Sequence, residues 1–308
     1  MKTLILNSSN VMPGTNNTVM EYTFPSGGIQ LKQGQQVALG SITLYNSTPN
    51  ISTVYLNNTF LYKWIDGANY TVDVPTGFYE ISDLNNFLHQ TMLNNNHYLI
   101  ENSTGNFVWF LTMAVNASTY KIDVVTFRMN TTLFPIGTAS NQYLYPGNPP
   151  SVTPPTLPAA WSNPVAPGTF PQLVVLTNAF RSIIGFESGN FPSNAVIAAA
   201  AATVKNITTS STSIPQVSPL SAYTVKCNLV NNAYSIPNNL IYSFPPANAF
   251  GSQYIVAPNQ YSFIDVSPGY YNVFRLEFTD QNNRGVVILD PNITVLIIIK
   301  DVNESAGL

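Results

Sequence analysis

The sequence has 308 residues and a mass of 33.7 kDa, which is enough for one large β domain or two ordinary domains. Only 8% of the residues are charged, against about 25% in typical soluble domains, and the formal net charge is −3. The chain instead contains 37 Asn, 17 Tyr and 17 Phe. This composition argues against disorder, which is poor in aromatic residues, and against nucleic-acid binding, which needs clustered Lys and Arg.

Cys227 is the only cysteine, so an internal disulfide framework and a cysteine-based zinc site are excluded. The only histidines, His89 and His97, are distant from it in sequence, and we expect Cys227 to be a small buried residue. The apolar run at the start of the sequence, Leu4–Leu6, is shorter than the roughly 7–15 residues of a secretory signal, and the aliphatic run Ile293–Ile299 is shorter than the roughly 18 of a membrane span. We therefore expect neither a signal peptide nor a membrane-spanning segment.

Residues 1–128 contain short β-type runs separated by Gly, Pro and Asn clusters. Gln36–Tyr45 alternates only in part, which is typical of a strand covered on both faces. One helix is predicted at Ser82–Leu93, with Ser82 as its N-cap and an apolar face formed by Leu84, Phe87, Leu88 and Met92. The predicted strands of this part are Thr18–Phe24, Gln36–Tyr45, Ser52–Trp64, Asn106–Val115 and Tyr120–Phe127.

Residues 129–264 carry only four charges, and the stretch Pro146–Pro171 is too rich in proline for regular structure. One interpretation is a flexible linker between two domains. We favour an ordered excursion, because aromatic residues punctuate this stretch and would serve no purpose in a linker. These aromatic residues are Tyr143, Tyr145, Trp161 and Phe170. A helical turn is predicted to end at Gly185, and the run 195–203 is ambiguous between helix and strand.

The C-terminal part has the clearest β pattern. Tyr271–Thr279 alternates well, Asp280–Gly285 is a turn cluster, and Val286–Leu289 and Ile293–Lys300 are predicted strands. Short strands joined by Gly, Pro and Asn turns, with a single convincing helix, predict an all-β sandwich or jelly roll.

The sequence contains no phosphate-binding glycine loop, no zinc-binding His pair and no serine-nucleophile motif. A glycosidase pair could be drawn from Asp66, Asp73, Glu80 and Asp83, but Asp66 suits a turn and Asp83 suits a helix terminus. Asp280 and Asp290 could bind calcium, but an oxygen cage needs more carboxylates at close spacing. A large β core without catalytic motifs and with few charges instead indicates a scaffold or assembly protein, since low charge removes the repulsion that keeps proteins monomeric.

The segments Phe274–Arg284 and Ile288–Val295 resemble the end of the penton (vertex) capsid proteins of virophages and polinton-like elements. Shorter stretches that fit in the same order are Gly77–Tyr79 running into Ser82–Leu88, Ile184–Phe186 and Cys227–Asn232. The resemblance spans about residues 1–300, but residues 129–171 and 195–215 match no part of the family pattern.

The resemblance implies a single jelly-roll capsid domain over residues 1–308, with an insertion or projecting excursion around 129–220. It implies homopentamers at the fivefold vertices of an icosahedral virion that pack against trimers of the major capsid protein and contact minor cement proteins. Assembly would take place in the host cytoplasm or a virus factory. It carries over no catalytic residue, cofactor or metal ligand. We expect contacts between subunits at Tyr143, Tyr145, Trp161, Tyr270 and Tyr271.

Two other functions remain open from the sequence. A carbohydrate-binding or host-attachment module on the same fold could use Trp64, Trp109 and Trp161 to stack on sugars. A β-sandwich glycosidase would need one of the carboxylate pairs above to be catalytic.

Overall fold

The computed structural model describes residues 1–130, 132–146, 170–201 and 203–301. The α-helices are α1 (Ile81–Asn94), α2 (Phe180–Ile184) and α3 (Asn194–Ala199), and 3-10 turns lie at Ser8–Asn10 and Pro25–Gly27. In chain order the strands are β1 (Lys2–Leu6), β2 (Val19–Thr23), β3 (Ile29–Leu31), β4 (Gln36–Tyr45), β5 (Thr59–Lys63), β6 (Asn69–Asp73), β7 (Leu99–Glu101), β8 (Phe107–Val108), β9 (Leu111–Val115), β10 (Ile122–Phe127), β11 (Tyr143–Leu144), β12 (Gln172–Val175), β13 (Gly189–Phe191), β14 (Asn206–Ser210), β15 (Tyr223–Cys227), β16 (Leu240–Phe244), β17 (Gln253–Val256), β18 (Ile264–Asp265), β19 (Gly269–Tyr271), β20 (Val273–Thr279) and β21 (Thr294–Lys300).

The chain forms two compact units. Unit 1 comprises Met1–Pro49 together with Leu220–Leu308, and unit 2 comprises Asn50–Pro219. In sequence, unit 2 is therefore inserted into unit 1, and residues 129–219 supply its later elements from β11 to β14. Among the helices of the described chain, none has the length and apolar character needed to cross a membrane.

Unit 1 contains a five-stranded and a four-stranded antiparallel sheet, and eight of these strands have a jelly-roll order, while the ninth, β18, pairs with β4 outside that order. The first sheet runs β1-β21-β4-β17 and the second runs β2-β20-β15-β16. Numbering these eight strands along the chain, the orders are first-eighth-third-sixth and second-seventh-fourth-fifth. Each strand of one sheet thus has sequence neighbours in the other, which is the arrangement of two interleaved Greek keys. Unit 2 enters between the third and fourth of these strands.

Both sheets of unit 1 supply one core. Leu6 and Ile297 of the first sheet and Leu276 and Phe278 of the second are buried in the same apolar cluster. Because alternate residues of each strand face this cluster, the opposite residues form the outer faces of the sandwich. The prediction of an all-β jelly-roll fold is thereby confirmed.

The partial alternation of Gln36–Tyr45 has two causes: four consecutive residues from Val37 to Gly40 are buried, so this part of the strand is covered on both faces as expected, and the strand contains a β-bulge. Leu39 pairs with Ile297 and Ser41 pairs with Leu296, so Gly40 is one residue too many for the ladder with β21. This β-bulge shifts the inward-facing positions from odd to even residues along the strand. A Cβ on Gly40 would collide with the Leu296 side chain, which explains why a glycine occupies the bulge.

Unit 2 is built from smaller sheets and helices around its own core. Its sheets run β13-β12-β5-β6, β14-β10-β9 and β11-β7-β8. Helix α1 buries Ile81, Leu84, Leu88 and Met92, which are spaced so that they lie on one helical face. The predicted helix is confirmed, but its N-cap is Glu80 and not Ser82, since the Asp83 carboxylate accepts the Glu80 backbone N–H at 2.9 Å.

Several predicted strands differ from the structure. Ser52–Trp64 forms a strand only from Thr59, because the buried Asn57 side chain holds residues 50–57 in a turn by accepting from Ser52 N and donating to Asn50 O. Asn106–Val115 is split into β8 and β9. Val286, Val287 and Ile288 are buried but lie outside any strand, so apolar character alone predicted this strand wrongly.

Candidate functional site

Tyr270 and Tyr271 lie on β19, which pairs with β3 in a two-stranded ribbon of unit 1. Tyr270 is 60% exposed, whereas Tyr271 packs against the unit 1 core and its hydroxyl donates to the Ser267 carbonyl at 2.9 Å. Gly28, next to β3, has a φ of +148°, and a Cβ there would lie 2.8 Å from the Tyr270 ring. Gly28 thus permits the close approach of the chain to this exposed tyrosine.

The other predicted interface residues belong to the sequence range of unit 2. Tyr143 and Tyr145 are half-buried and pack against the unit 2 core, with the Tyr143 ring 5.4 Å from Phe134. Burial raises the pKa of Tyr145. Trp161 lies outside the described residues. The structure thus brings Tyr143 and Tyr145 together on one segment and places Tyr270 and Tyr271 on another, and the contact of these residues with a second subunit stays a prediction.

An aromatic cluster surrounds His97 in unit 2. The indole of Trp64 stacks on the imidazole at 4.2 Å, and the Tyr62 hydroxyl lies 2.8 Å from His97 Nδ1. The Tyr70 ring meets the imidazole edge-on at 4.6 Å, and its hydroxyl donates to Asp66 at 2.7 Å. Trp64 is only 4% exposed, so it offers no ring face to a sugar.

The titration behaviour of this cluster follows from burial. Desolvation lowers the pKa of His97 to about 4, although the nearby Asp66 carboxylate raises it in part. Burial raises the pKa of Tyr62, while the hydrogen bond to Asp66 raises the pKa of Tyr70 to about 12. His97 and both tyrosines are therefore neutral at pH 7, as the interior of a stable core requires.

We expect the stability of unit 2 to fall in mild acid. The pKa of His89 is also lowered to about 4 by burial, so between pH 6.5 and pH 4 the unfolded chain binds protons that the folded chain does not. For each of the two histidines, the free energy of unfolding should fall by about 2 kcal/mol as the pH is lowered from 7.5 to 5. Urea titrations followed by tryptophan fluorescence should show this loss.

The His97→Gln variant is the informative comparison. It should show about half of the wild-type pH dependence, and a double variant that also carries His89→Gln should be nearly flat over the same range. An unchanged pH dependence in the double variant would contradict this assignment.

A second aromatic cluster lies at the surface of unit 2. Trp109 stacks on His89 at 4.3 Å, and Phe107 and Tyr98 lie 5.7 and 5.6 Å from its ring. Phe107 is 50% exposed, and the three rings share one face of the sheet β11-β7-β8 with Ile100. Sequence reasoning selected Trp109 but missed Tyr98 and Phe107. The Phe107-Val108-Trp109 alternation was the available signal.

The carboxylates considered for catalysis have structural partners. Asp66 accepts from Ala68 N and from the Tyr70 hydroxyl, Asp73 accepts from the Thr59 hydroxyl, and Asp83 accepts from Glu80 N. Asp280 and Asp290 each accept backbone N–H groups of their own turns. Within the described residues, no group of three or more His, Cys, Asp or Glu side chains could hold a metal ion.

Cys227 is buried in the unit 1 core, as the sequence predicted. Burial raises the pKa of its thiol to about 12, and its Sγ accepts the Leu229 backbone N–H at 3.4 Å. At neutral pH the side chain is a protonated thiol that packs like a small apolar residue.

Comparison with known proteins gives structural likeness only. No family model and no curated protein matches the sequence. The chain is similar to the crystal structure of the mavirus penton protein, with a TM-score of 0.40 and 12% identity over 97% of this chain and 99% of that one. It is similar to a chain of the Sputnik virophage structure, with a TM-score of 0.36 and 12% identity over 98% of each chain. The jelly-roll assignment of unit 1 rests on its own strand order.

Proposed function

We propose that the chain is a virion capsid protein that forms homopentameric pentons at the fivefold vertices of an icosahedral shell. The observation that carries the proposal is the jelly-roll strand order of unit 1, an architecture used by viral capsid domains. The C-terminal segment in which the sequence resembles penton proteins forms β20, the following turn and the start of β21 in this sandwich. The structural roles of the candidate carboxylates and of Cys227 support a protein that acts by assembly.

The mechanism is geometric. A contact between two different surfaces of neighbouring copies closes into a five-membered ring when each copy is rotated by 72° relative to the last. A stable contact of this kind buries more than about 1,000 Å² in total. With 8% charged residues, the protein has little electrostatic repulsion to oppose such a contact.

The proposed partners are further copies of the chain, trimers of the major capsid protein and minor cement proteins, in particles assembled in the host cytoplasm or a virus factory. We propose that the excursion around residues 129–220 projects from the shell. Specific nucleic-acid binding is not expected, because the sequence has no cluster of Lys and Arg.

The test is the mass of the purified protein in solution, with negative-stain images of the same fraction. Five-membered rings are expected, either from the protein alone or after co-expression with a double jelly-roll major capsid protein. A protein that neither forms rings nor joins particles in co-expression would refute the proposal.

The predicted interface tyrosines should separate into two groups. Tyr270→Ala removes an exposed ring, so we expect an unfolding free energy within about 0.5 kcal/mol of wild type but weaker assembly. Tyr143→Ala removes a ring that packs on the unit 2 core, so we expect the free energy of unfolding to fall by about 2 kcal/mol. Urea denaturation measures the free energy of unfolding, and sedimentation measures assembly. Normal assembly of Tyr270→Ala would remove this residue from the interface.

Carbohydrate binding or host attachment is a second candidate function, and the aromatic cluster of Tyr98, Phe107 and Trp109 favours it. Exposed aromatic rings with few charges nearby suit the apolar faces of neutral sugars. A glycan array probed with the intact protein and with Phe107→Ala, which removes the most exposed ring, tests this function. Binding that is equal in both proteins would exclude the cluster as the site.

A further inference from the structure

Helix α1 packs on two different sheets of unit 2, and each contact contains one of the two histidines of the chain. On one side α1 packs against β9 of the sheet β14-β10-β9, where His89 stacks on Trp109. On the other side it packs against β6 of the sheet β13-β12-β5-β6. There His97, just after the helix, stacks on Trp64 and meets the edge of the Tyr70 ring. The placement of α1 thus depends on two histidine–tryptophan stacks.

The hydrogen bonds around His89 hold it in its neutral form. Its Nε2 lies 3.2 Å from the Leu111 carbonyl oxygen, which can only accept, so Nε2 carries the hydrogen and Nδ1 is an acceptor. Nδ1 faces the side-chain Nδ2 of Asn85 at 3.5 Å. Asn85 does not turn its oxygen towards the imidazole, because that oxygen accepts the Met113 N–H at 2.8 Å. A proton on Nδ1 would therefore bring two donors face to face.

His97 is held neutral by a different set of partners. The Tyr62 hydroxyl lies 2.8 Å from Nδ1 and accepts from the Asn95 amide at 3.4 Å, so its one hydrogen points to Nδ1. A proton on Nδ1 would leave that hydrogen without its acceptor and place a charge on a side chain that is only 6% exposed. The Asp66 carboxylate attracts an imidazolium at this position, but it accepts the Tyr70 hydroxyl, and burial outweighs the attraction.

Acid at pH 5–6 acts on these two contacts and has no equivalent target in unit 1. Both histidines of the sequence lie in unit 2, and histidine is the side chain whose ordinary charge change falls between pH 5 and 8. Burial lowers the pKa of both to about 4. Between pH 6.5 and pH 4, an opened site therefore binds protons that the closed site does not, and acid favours opening.

We propose that mild acid, at about pH 5–6, opens unit 2 at helix α1 while unit 1 stays folded. Opening brings both imidazoles into water, where each is protonated without facing a fixed donor. It also uncovers the apolar face of the helix, which Leu84, Leu88 and Met92 form. The structure thereby contains a switch that responds to an acidic compartment, and this inference does not depend on the proposed ring assembly.

Hydrogen exchange of the whole protein, followed by mass spectrometry at pH 7.5 and pH 5.0, tests the switch. Labelling times are corrected for the effect of pH on the chemical exchange rate. Protection of the α1 amides should fall about 25-fold for each histidine and about 600-fold for both, from an ordinary pKa of 6.5 and a closed-state pKa of about 4. The amides of β20 and β21 in unit 1 should keep their protection.

Two kinds of variant separate the histidines from a general loss of stability in acid. His89→Gln and His97→Gln should each leave a response of about 25-fold, and the double variant should leave none. Asn85→Asp keeps both histidines, since one carboxylate oxygen accepts the Met113 N–H and the other accepts from a protonated His89. Its response should also fall to about 25-fold.

The matched control is Asn86→Asp, which adds the same charge at the next position of the helix, where the side chain is exposed. It should keep the full response. Equal protection of α1 at both pH values would overturn the switch, as would a parallel loss of protection in unit 1 or a full response in the double histidine variant. None of these outcomes bears on the capsid function, which the ring and co-expression test decides.

Discussion

Replacing Arg128 with Ala is expected to lower the free energy of unfolding of unit 2 by about 3–5 kcal/mol. The Arg128 side chain is buried directly after β10. Its Nε donates to the Val204 carbonyl at 3.0 Å, and its Nη2 donates to the Ala201 carbonyl at 3.0 Å and the Ala200 carbonyl at 3.4 Å. The guanidinium also lies 4.7 Å from the centre of the Phe170 ring.

The large effect arises because the alanine variant leaves three part-buried carbonyl oxygens without this donor and removes a buried side chain. Each unsatisfied group costs about 1–3 kcal/mol, and the packing of the long side chain is lost as well. Arg128→Lys should have a free energy of unfolding between those of wild type and Arg128→Ala, since an ammonium group keeps the charge but cannot reproduce the planar array of donors.

Tryptophan fluorescence during urea denaturation is the appropriate measurement, because all three tryptophans lie between residues 50 and 219 and therefore report on unit 2. Arg181→Ala is the control. Arg181 is exposed and its 3.8 Å ion pair with Glu187 is solvated, so its loss should cost less than about 0.5 kcal/mol. An Arg128→Ala variant within 1 kcal/mol of wild type would contradict the argument.

In unit 1, Asp280→Ala is expected to lower the free energy of unfolding by about 3 kcal/mol. The Asp280 side chain organises the turn that follows β20. Its Oδ1 accepts Asn282 N and Arg284 N, each at 2.8 Å, and its Oδ2 accepts the Arg284 guanidinium at 2.8 Å from Nε and 2.7 Å from Nη2. Asn283 within this turn adopts a φ of +63°, a conformation that asparagine tolerates better than most residues.

Two further variants separate the backbone hydrogen bonds of Asp280 from its ion pair with Arg284. Asp280→Asn keeps an acceptor for the backbone N–H groups and should lower the free energy of unfolding by about half as much as Asp280→Ala. Arg284→Ala should cost less than about 1 kcal/mol, because the Arg284 side chain is 67% exposed and its ion pair is partly screened. Hydrogen exchange at Asn282 N and Arg284 N, measured beside urea denaturation, checks the mechanism. Protection of both amides in Asp280→Ala would show that the carboxylate does not hold the turn.

This turn belongs to the stretch of sequence that is most readily recognised as similar to penton proteins. The stretch from Phe274 to Arg284, which most resembles penton proteins, forms a central strand of the second sheet and a turn closed by a buried carboxylate. Residues with such defined hydrogen-bonding positions are restricted in type, which makes the stretch recognisable. At the surfaces proposed for assembly the residue type is not restricted in this way, because exposed residues make few contacts within their own chain.

The sequence alone determined the all-β class, the β4 range, the helix near residue 82 and the burial of Cys227, because each depends on local periodicity or on a single residue type. Tertiary structure decided the rest. The bulge at Gly40 appears only when β4 is paired with β21, and Val286–Ile288 are buried without a strand because surrounding elements cover them. Trp64 proved to be buried against His97, while Tyr234 and Ile236 proved to be fully exposed. Exposure of an aromatic or aliphatic side chain depends on which distant segments pack over it, and local sequence does not encode that information.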